Sequence, residues 1–138
     1  MSGEISQADV MTALLKSVLD YGQGKTAERL NIAVSTLSNK LQPYVSPDRR
    51  HYLNLLEADE ILSLTGDMRG LELLAARHGF LLLPMAAKPD APSFEAEALQ
   101  DLQAMARYQS EKDPVEAVHA LNALLRELLE THAMRPQQ

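Results

Sequence analysis

The chain has 138 residues, no cysteine, and thirteen Lys and Arg against nineteen Asp and Glu. That length can bury a core without covalent staples, and the absence of Cys excludes disulfides and thiolate metal sites. No apolar run approaches the roughly 18 residues that span a bilayer. The opening MSGEISQADV lacks the basic patch and apolar core of a signal peptide, so a cytoplasmic protein without membrane contact is expected.

Aromatic residues are scarce and Ala and Leu abundant, which favours an all-α fold. Charge is unevenly spread. Residues 21–52 carry five basic and two acidic side chains, a net of +3, whereas residues 53–138 carry seven and fourteen, a net of −7. A phosphate backbone feels the potential within a Debye length of about 10 Å. The overall net charge of −6 therefore does not exclude nucleic acid.

In chain order, Val10, Ala13, Leu14, Ser17 and Val18 fall at helical spacing, and Tyr21-Gly22 supplies a stop. A short helix is predicted from about Gly24 to Leu30, then a turn at Asn31, a residue that tolerates the left-handed conformation. The next helix runs Ser35 to Leu41, and Pro43 and Pro47 open a loop holding Arg49, Arg50 and His51. A fourth helix starts at Asn54, with Leu55, Leu56, Ala58, Ile61, Leu62 and Leu64 on a broad apolar face. Thr65-Gly66-Asp67 is turn chemistry, in which Gly66 closes that helix and Asp67 caps the next. The fifth helix, about Met68 to His78, is expected to bury Leu71, Leu74 and Ala75. Phe80–Leu83 is then expected to be an extended tail packed on the core.

Residues 85–93 have the Pro and Ala composition of a semi-rigid linker. A sixth helix over about Phe94–Gln109, with Ser93 as cap, places Ala98, Leu102, Met105 and Ala106 on one face. A seventh opens at Asp113-Pro114-Val115-Glu116, an N-cap, a proline at the first position and a glutamate placed to reach back as in a capping box. The short Ser110–Lys112 link makes these two an antiparallel hairpin. Val118, Leu121, Leu125 and Leu128, with Leu124 and Leu129 beside them, give the last helix an apolar stripe. Such a hairpin must pack either on the N-terminal core or on a copy of itself, and pairing of two hairpins gives a four-helix homo-oligomer. The organisation expected is residues 1–84, a linker over 85–93, and a hairpin over 94–138.

The stretch TAERLNIAVSTLSNKL meets the requirements of a helix-turn-helix. Ala27 is small where the second helix must cross the first, Asn31 stands at the turn, and Leu30, Ile32, Leu37 and Leu41 lock the pair onto a core. The open face of the second helix carries Ser35, Thr36, Ser38 and Asn39, with Gln42 beyond, short polar groups able to reach base edges. Asn39 is the strongest candidate reader, because its amide can bond adenine in two places. Ser35 and Thr36 also lie where helix N–H groups favour phosphate. Lys25, Arg29, Lys40, Arg49 and Arg50 are candidate phosphate contacts. Thr26 occupies a place usually apolar. Lys40 occupies one usually filled by a buried side chain, so its stem is expected to cover the core while its ammonium reaches solvent. From the pattern alone, a helical corner with solvated Ser and Thr and no nucleic acid stays open.

The segments GKTAERLNIAVSTLSNKL and ADEILSLTGDMRGLELLAARHGFLLLP resemble the phage regulatory protein CII family, over about residues 10–85. These are prophage-encoded regulators related to those that establish lysogeny in P2-like phages such as coliphage 186. The resemblance implies a lambda-repressor-like DNA-binding fold of about five helices, sequence-specific binding to double-stranded promoter DNA, assembly into a dimer or tetramer, and control of lysogeny genes. RNA polymerase is then a further partner. By position it turns Ser35, Thr36, Ser38, Asn39 and Lys40 toward DNA and makes Thr65-Gly66-Asp67 a structural junction.

Other chemistry finds little footing. The four His have no ligand spacing, and Glu57, Asp59 and Glu60 read as a solvated helix face without nucleophile or glycine loop nearby. No catalytic residue, metal or cofactor is expected. The alternative of another class is an interaction protein, such as an antirepressor or antitoxin-like adaptor, whose helix-turn-helix packs on protein.

Overall fold

The computed structural model describes residues 4–44, 51–86 and 88–135, and all regular structure among them is helical. Seven helices follow in order: α1 Gln7–Tyr21, α2 Gln23–Leu30, α3 Val34–Lys40, α4 Leu55–Thr65, α5 Arg69–Arg77, α6 Phe94–Ser110 and α7 Pro114–Ala133. The chain divides into two compact units, one of Ile5–Leu74 and one that includes residues 75–135 and Glu4.

In the first unit, α1 and α2 pack on each other and on α4, and α2 packs on α3. α1 begins with a capping box, in which Ser6 Oγ accepts from Asp9 N–H and Asp9 accepts from Ser6 N–H. It buries Val10, Ala13, Leu14, Ser17 and Val18, the apolar line of its sequence plus one serine. The Ser17 hydroxyl is satisfied by donating to the Leu14 carbonyl at 2.7 Å. Leu37, Leu41, Ile61 and Leu73 join Val18 as fully buried side chains. Each such side chain contributes about 1.5–3 kcal/mol relative to exposure.

α4 is closed at its start by a second capping box, between Asn54 and Glu57, and ends on Gly66 at φ 65°. Thr65 Oγ1 then donates to the Ile61 carbonyl and accepts from Asp67 N–H. Asp67 accepts from Arg69 N–H at 3.1 Å and opens α5 as expected. The Arg69 guanidinium returns to Asp67 and reaches Asp20 at the end of α1 at 3.3 Å.

Two apolar faces differ from expectation. Leu55 and Leu56 are 82% and 79% exposed, because the buried line of α4 runs through Ile61 and the first turn lies outside it. Leu55 instead lines an open apolar groove of about 410 Å³ with Val10, Met11, Tyr52 and Ala58. On α5 the buried residues are Gly70 and Leu73, while Leu74 is exposed. Spacing of large apolar residues misses this face because its central member has no side chain to count. A Cβ on Gly70 would lie 2.7 Å from Leu14 Cδ2 and 2.9 Å from Cγ, so the bare backbone is what lets α5 approach α1.

In the second unit, α6 and α7 form an antiparallel hairpin. Ser93 Oγ caps α6 through Ala96 N–H. Asp113 caps α7 through Val115 and Glu116 N–H, with Pro114 in the first turn. The expected reach of Glu116 back to the cap is not made. The Asp113 N–H donates to Glu111 Oε1 at 3.1 Å, since Glu111 is two residues away in the link and closer to hand. On α6, Leu102 and Ala106 are exposed and Met105 is partly so, leaving the predicted apolar face largely uncovered. Val118, Leu121 and Leu125 are half-buried and Leu128 is exposed, while Ala120 and Leu124 form the buried line of α7. Phe80–Leu83 is non-helical but little packed, with Phe80 70% and Leu83 60% exposed. Its Leu82 N–H donates to Asn122 Oδ1 on α7 at 3.1 Å, and Asn122 Nδ2 donates to the Val118 carbonyl.

The α1–α5 approach predicts the effect of Gly70→Ala. Overpacking against Leu14 costs about 1–3 kcal/mol, against a gain of about 1 kcal/mol in helix propensity. Net destabilisation is expected in urea unfolding, and Leu14→Ala should relieve the clash part of it in a double-mutant cycle.

Candidate nucleic-acid interface

The segment joining α2 and α3 is built around one backbone conformation. Asn31 sits at φ 56° and ψ 44°, the single non-glycine residue at positive φ among the described residues. Its N–H donates to the Glu28 carbonyl, and the following Ile32 N–H donates to the Ala27 carbonyl at 3.0 Å. These bonds close α2 in the manner of a left-handed cap. The backbone is thereby turned so that α3 can start at Val34, with Ala33 in extended conformation before it.

Ala27 is 1% exposed, and its small side chain permits close packing beneath the turn. Thr26, in a position expected to be apolar, is fully buried, and its hydroxyl donates to the Gly22 carbonyl at 2.9 Å. The hydroxyl is thus satisfied within its own helix, and the methyl is free to pack. Leu37 and Leu41 are fully buried, while Leu30 and Ile32 are half-buried.

With one side of α3 committed to the core, the other is set. Ser35 and Asn39 are exposed one helical turn apart, and Gln42 is exposed just past the helix end. Thr36 and Ser38 are half-buried at the flanks of this stripe. Gln42 Nε2 donates to the Ser38 carbonyl at 3.2 Å, which holds its side chain along the same side. Val34, not singled out by the sequence pattern, is 47% exposed beside Ser35. An apolar side chain at the start of such a helix is suited to the methyl of thymine.

The basic candidates divide by environment. Lys25 is exposed, with its ammonium 5.9 Å from the centre of the Tyr21 ring. Arg29 is 67% exposed along its side chain and holds Glu60 on α4 at 3.1 Å. A contact of that exposure contributes little to stability and can be exchanged for another anion. Lys40 differs from expectation. Its stem is covered, and its ammonium turns to both oxygens of Glu57 at 2.8 Å rather than to solvent. Only 16% of its side chain and 13% of that of Glu57 is exposed. Glu57 also accepts from Asn54 N–H, so one carboxylate closes the start of α4 and anchors the end of α3. Nor are Glu57 and Glu60 simply members of a solvated acidic face, since each meets a base from the helix-turn-helix. Arg49 and Arg50 lie outside the described residues.

An exposed polar stripe on a short helix, backed by buried Leu37 and Leu41 and reached through a left-handed turn, is the geometry of the expected motif. Comparison with known protein families matches residues 9–112 to phage regulatory protein CII (CP76). The chain belongs to this family. The match begins in α1 and ends at the link between α6 and α7, so it takes in the whole helix-turn-helix and extends through α6, beyond the segments that carried the resemblance. No curated protein matches the chain. As a member of the CII family the protein is a phage regulator, and none of its described helices is long and apolar enough to cross a membrane.

The Lys40–Glu57 pair yields a pH prediction. Burial raises the Glu57 pKa, but the Lys40 hydrogen bond, the Asn54 N–H and the nearby positive charge outweigh it, so it lies below its ordinary 4.5. Stability from a depressed carboxylate is present above the unfolded pKa and lost as pH falls through the folded one. Lys40→Met should cost about 1–3 kcal/mol at pH 7, between exposed and fully buried pairs. The gap to the unmodified protein in urea unfolding should narrow below pH 4, as Glu57 takes up a proton in both.

Proposed function

We propose that this CII-family protein is a transcriptional regulator that binds double-stranded promoter DNA through its helix-turn-helix and controls lysogeny genes. The observation that carries this reading is the stripe of Ser35, Asn39 and Gln42, exposed while Leu37 and Leu41 on the opposite side are fully buried. In this proposal α3 lies in the major groove. Asn39 reads a base through its amide, Ser35, Thr36, Ser38 and Gln42 supply further polar contacts, and Val34 meets a thymine methyl. Lys25 and Arg29, with Arg49 and Arg50 in the following loop, neutralise phosphates. Lys40 is assigned to holding α3 in place, because its charge is already met by Glu57.

The organisation that suits this function is a DNA-binding domain over residues 1–84, a linker over 85–93 and an oligomerisation hairpin over 94–138. The exposed Leu99, Leu102 and Met105 on α6 and Leu128 on α7 support a homo-oligomer. The remaining stripe of Val118, Leu121 and Leu125 would extend the same interface. Two-fold pairing would present two α3 helices to successive half-sites, and RNA polymerase is the further partner at the promoter.

Binding of the natural promoter, followed by fluorescence anisotropy, should weaken steeply with salt because counterions are released. Asn39→Ala should cost about 1–3 kcal/mol at a single base position and relax preference there. Arg29→Ala should weaken all sequences alike. Equal affinity for scrambled and promoter DNA, or unchanged base preference in Asn39→Ala, would argue for a protein partner instead.

A separate measurement tests the assembly. Leu99→Glu with Leu102→Glu should convert the protein to a monomer in sedimentation while leaving its helical circular dichroism intact. A double variant that sediments like the unmodified oligomer would remove the hairpin from the interface.

A further inference from the structure

The second unit contains a group of carboxylates that the DNA-binding proposal does not use. Asp90, Glu97, Glu127 and Glu130 each bring one oxygen within 4.8 Å of the others. They come from three segments: Asp90 from the stretch before α6, Glu97 from the first turns of α6, and Glu127 and Glu130 from one side of α7. No spacing in the sequence announces them, because the hairpin fold is what brings the three together.

The arrangement is built rather than incidental. Glu97 is fully buried, and its Oε1 accepts from Asp90 N–H at 2.8 Å and Ala91 N–H at 2.9 Å, which wraps the chain around the carboxylate. Glu130 is 8% exposed and hydrogen-bonded with Glu127, yet its Oε2 is shut off from solvent and meets no donor. A buried carboxylate oxygen left without a donor is costly, and a bound cation or a shared proton resolves it. The Gln100 side-chain amide reaches the same place, 2.9 Å from Asp90 Oδ1, 3.0 Å from Glu127 Oε2 and 3.2 Å from Glu97 Oε2. With its nitrogen turned inward its two N–H groups are shared among these three carboxylates. With its oxygen turned inward it adds a fifth oxygen to the set.

We propose that Asp90, Glu97, Glu127 and Glu130 bind a hard divalent cation, with Ca²⁺ the best fit, and that Gln100 rotates to present its oxygen when the ion enters. The donor set is all oxygen and mostly carboxylate, the chemistry of Ca²⁺, Mg²⁺ and Mn²⁺ rather than of softer metals. Oxygens held about 2.4 Å from one Ca²⁺ lie at most about 4.8 Å apart, and the four carboxylates already meet that bound. Mg²⁺ demands a tighter, near-octahedral shell and keeps several waters, so it binds here more weakly. Without an ion the four charges repel one another. Burial and the charges of Glu127, Asp90 and Glu97 push the Glu130 pKa up to about 7. Burial and Asp90 also raise that of Glu127, partly offset by the hydrogen bond with Glu130 and the charge of Arg126. The bound cation ties the stretch around Asp90 to both helices of the hairpin.

The full-length protein, stripped with EDTA and assayed at pH 8, provides the test. Titration with CaCl₂ should give one site per chain by calorimetry and a saturable rise in Tm, with MgCl₂ giving a smaller rise. Glu130→Gln should abolish the calcium response, yet in EDTA it should be at least as stable as the unmodified protein, because it removes a repelling charge. Glu127→Gln serves as the second variant and should also lose the response. An unmodified protein whose Tm ignores Ca²⁺, Mg²⁺ and Mn²⁺ overturns the proposal and leaves carboxylates that share a proton. A full calcium response in both variants overturns it equally, by placing the ion elsewhere. Neither readout involves DNA, so this proposal and the DNA-binding one stand or fall separately.

Discussion

Much of the first unit depends on how Lys40 meets Glu57. α3 has seven residues, too few to be stable alone in water, and no side chain caps its start. Its orientation is set by Leu37 and Leu41 beneath it and by one buried ion pair at its last residue. The same carboxylate closes the capping box of α4, so the end of α3 and the start of α4 are tied at one point. A slip of α3 by one residue would turn it by about 100°, breaking that pair and taking Leu37 out of the core. The exposed stripe of Ser35 and Asn39 is what remains once these constraints are met.

Local chemistry made much of this legible. Gly22, Asn31 and Gly66 stand at helix ends in conformations their neighbours disfavour, and Asn54 and Asp67 offer side-chain oxygens just where helices begin. The α1 core line emerges from spacing alone, since every member carries a side chain of fitting size and period. The failures are tertiary. Lys40 and Glu57 are seventeen residues apart, and nothing in either neighbourhood names the other. Gly70 buries a face through what it lacks, and Leu55 and Leu56 satisfy the period of α4 yet stay largely exposed.

The second unit was legible as a hairpin and illegible in its interior. Ser93, Asp113 and Pro114 mark two helix starts, and the short link determines their antiparallel course. What fills the space between them did not follow from apolar spacing. Leu99 and Leu102 are exposed, whereas Glu97, Asn122, Glu130 and Thr131 are buried. Asn122 finds a backbone partner in Leu82, and Glu97 finds two in Asp90 and Ala91, so these polar groups fasten non-helical chain to the hairpin. A polar interior of this kind selects one docking of the flanking chain, which hydrocarbon alone would leave loosely specified.

The distribution of helix caps has one more consequence. α1, α4, α6 and α7 each begin with a side chain that satisfies an opening N–H group. Neither Gly22 before α2 nor Ala33 before α3 does so. The two helices proposed to meet DNA thus have the least autonomy, and their order comes from burial of Thr26, Ala27, Leu37 and Leu41 and from the Glu57 anchor. The exposed stripe of α3 is therefore only as ordered as the core beneath it, so a substitution in that core would reach it without touching any exposed residue.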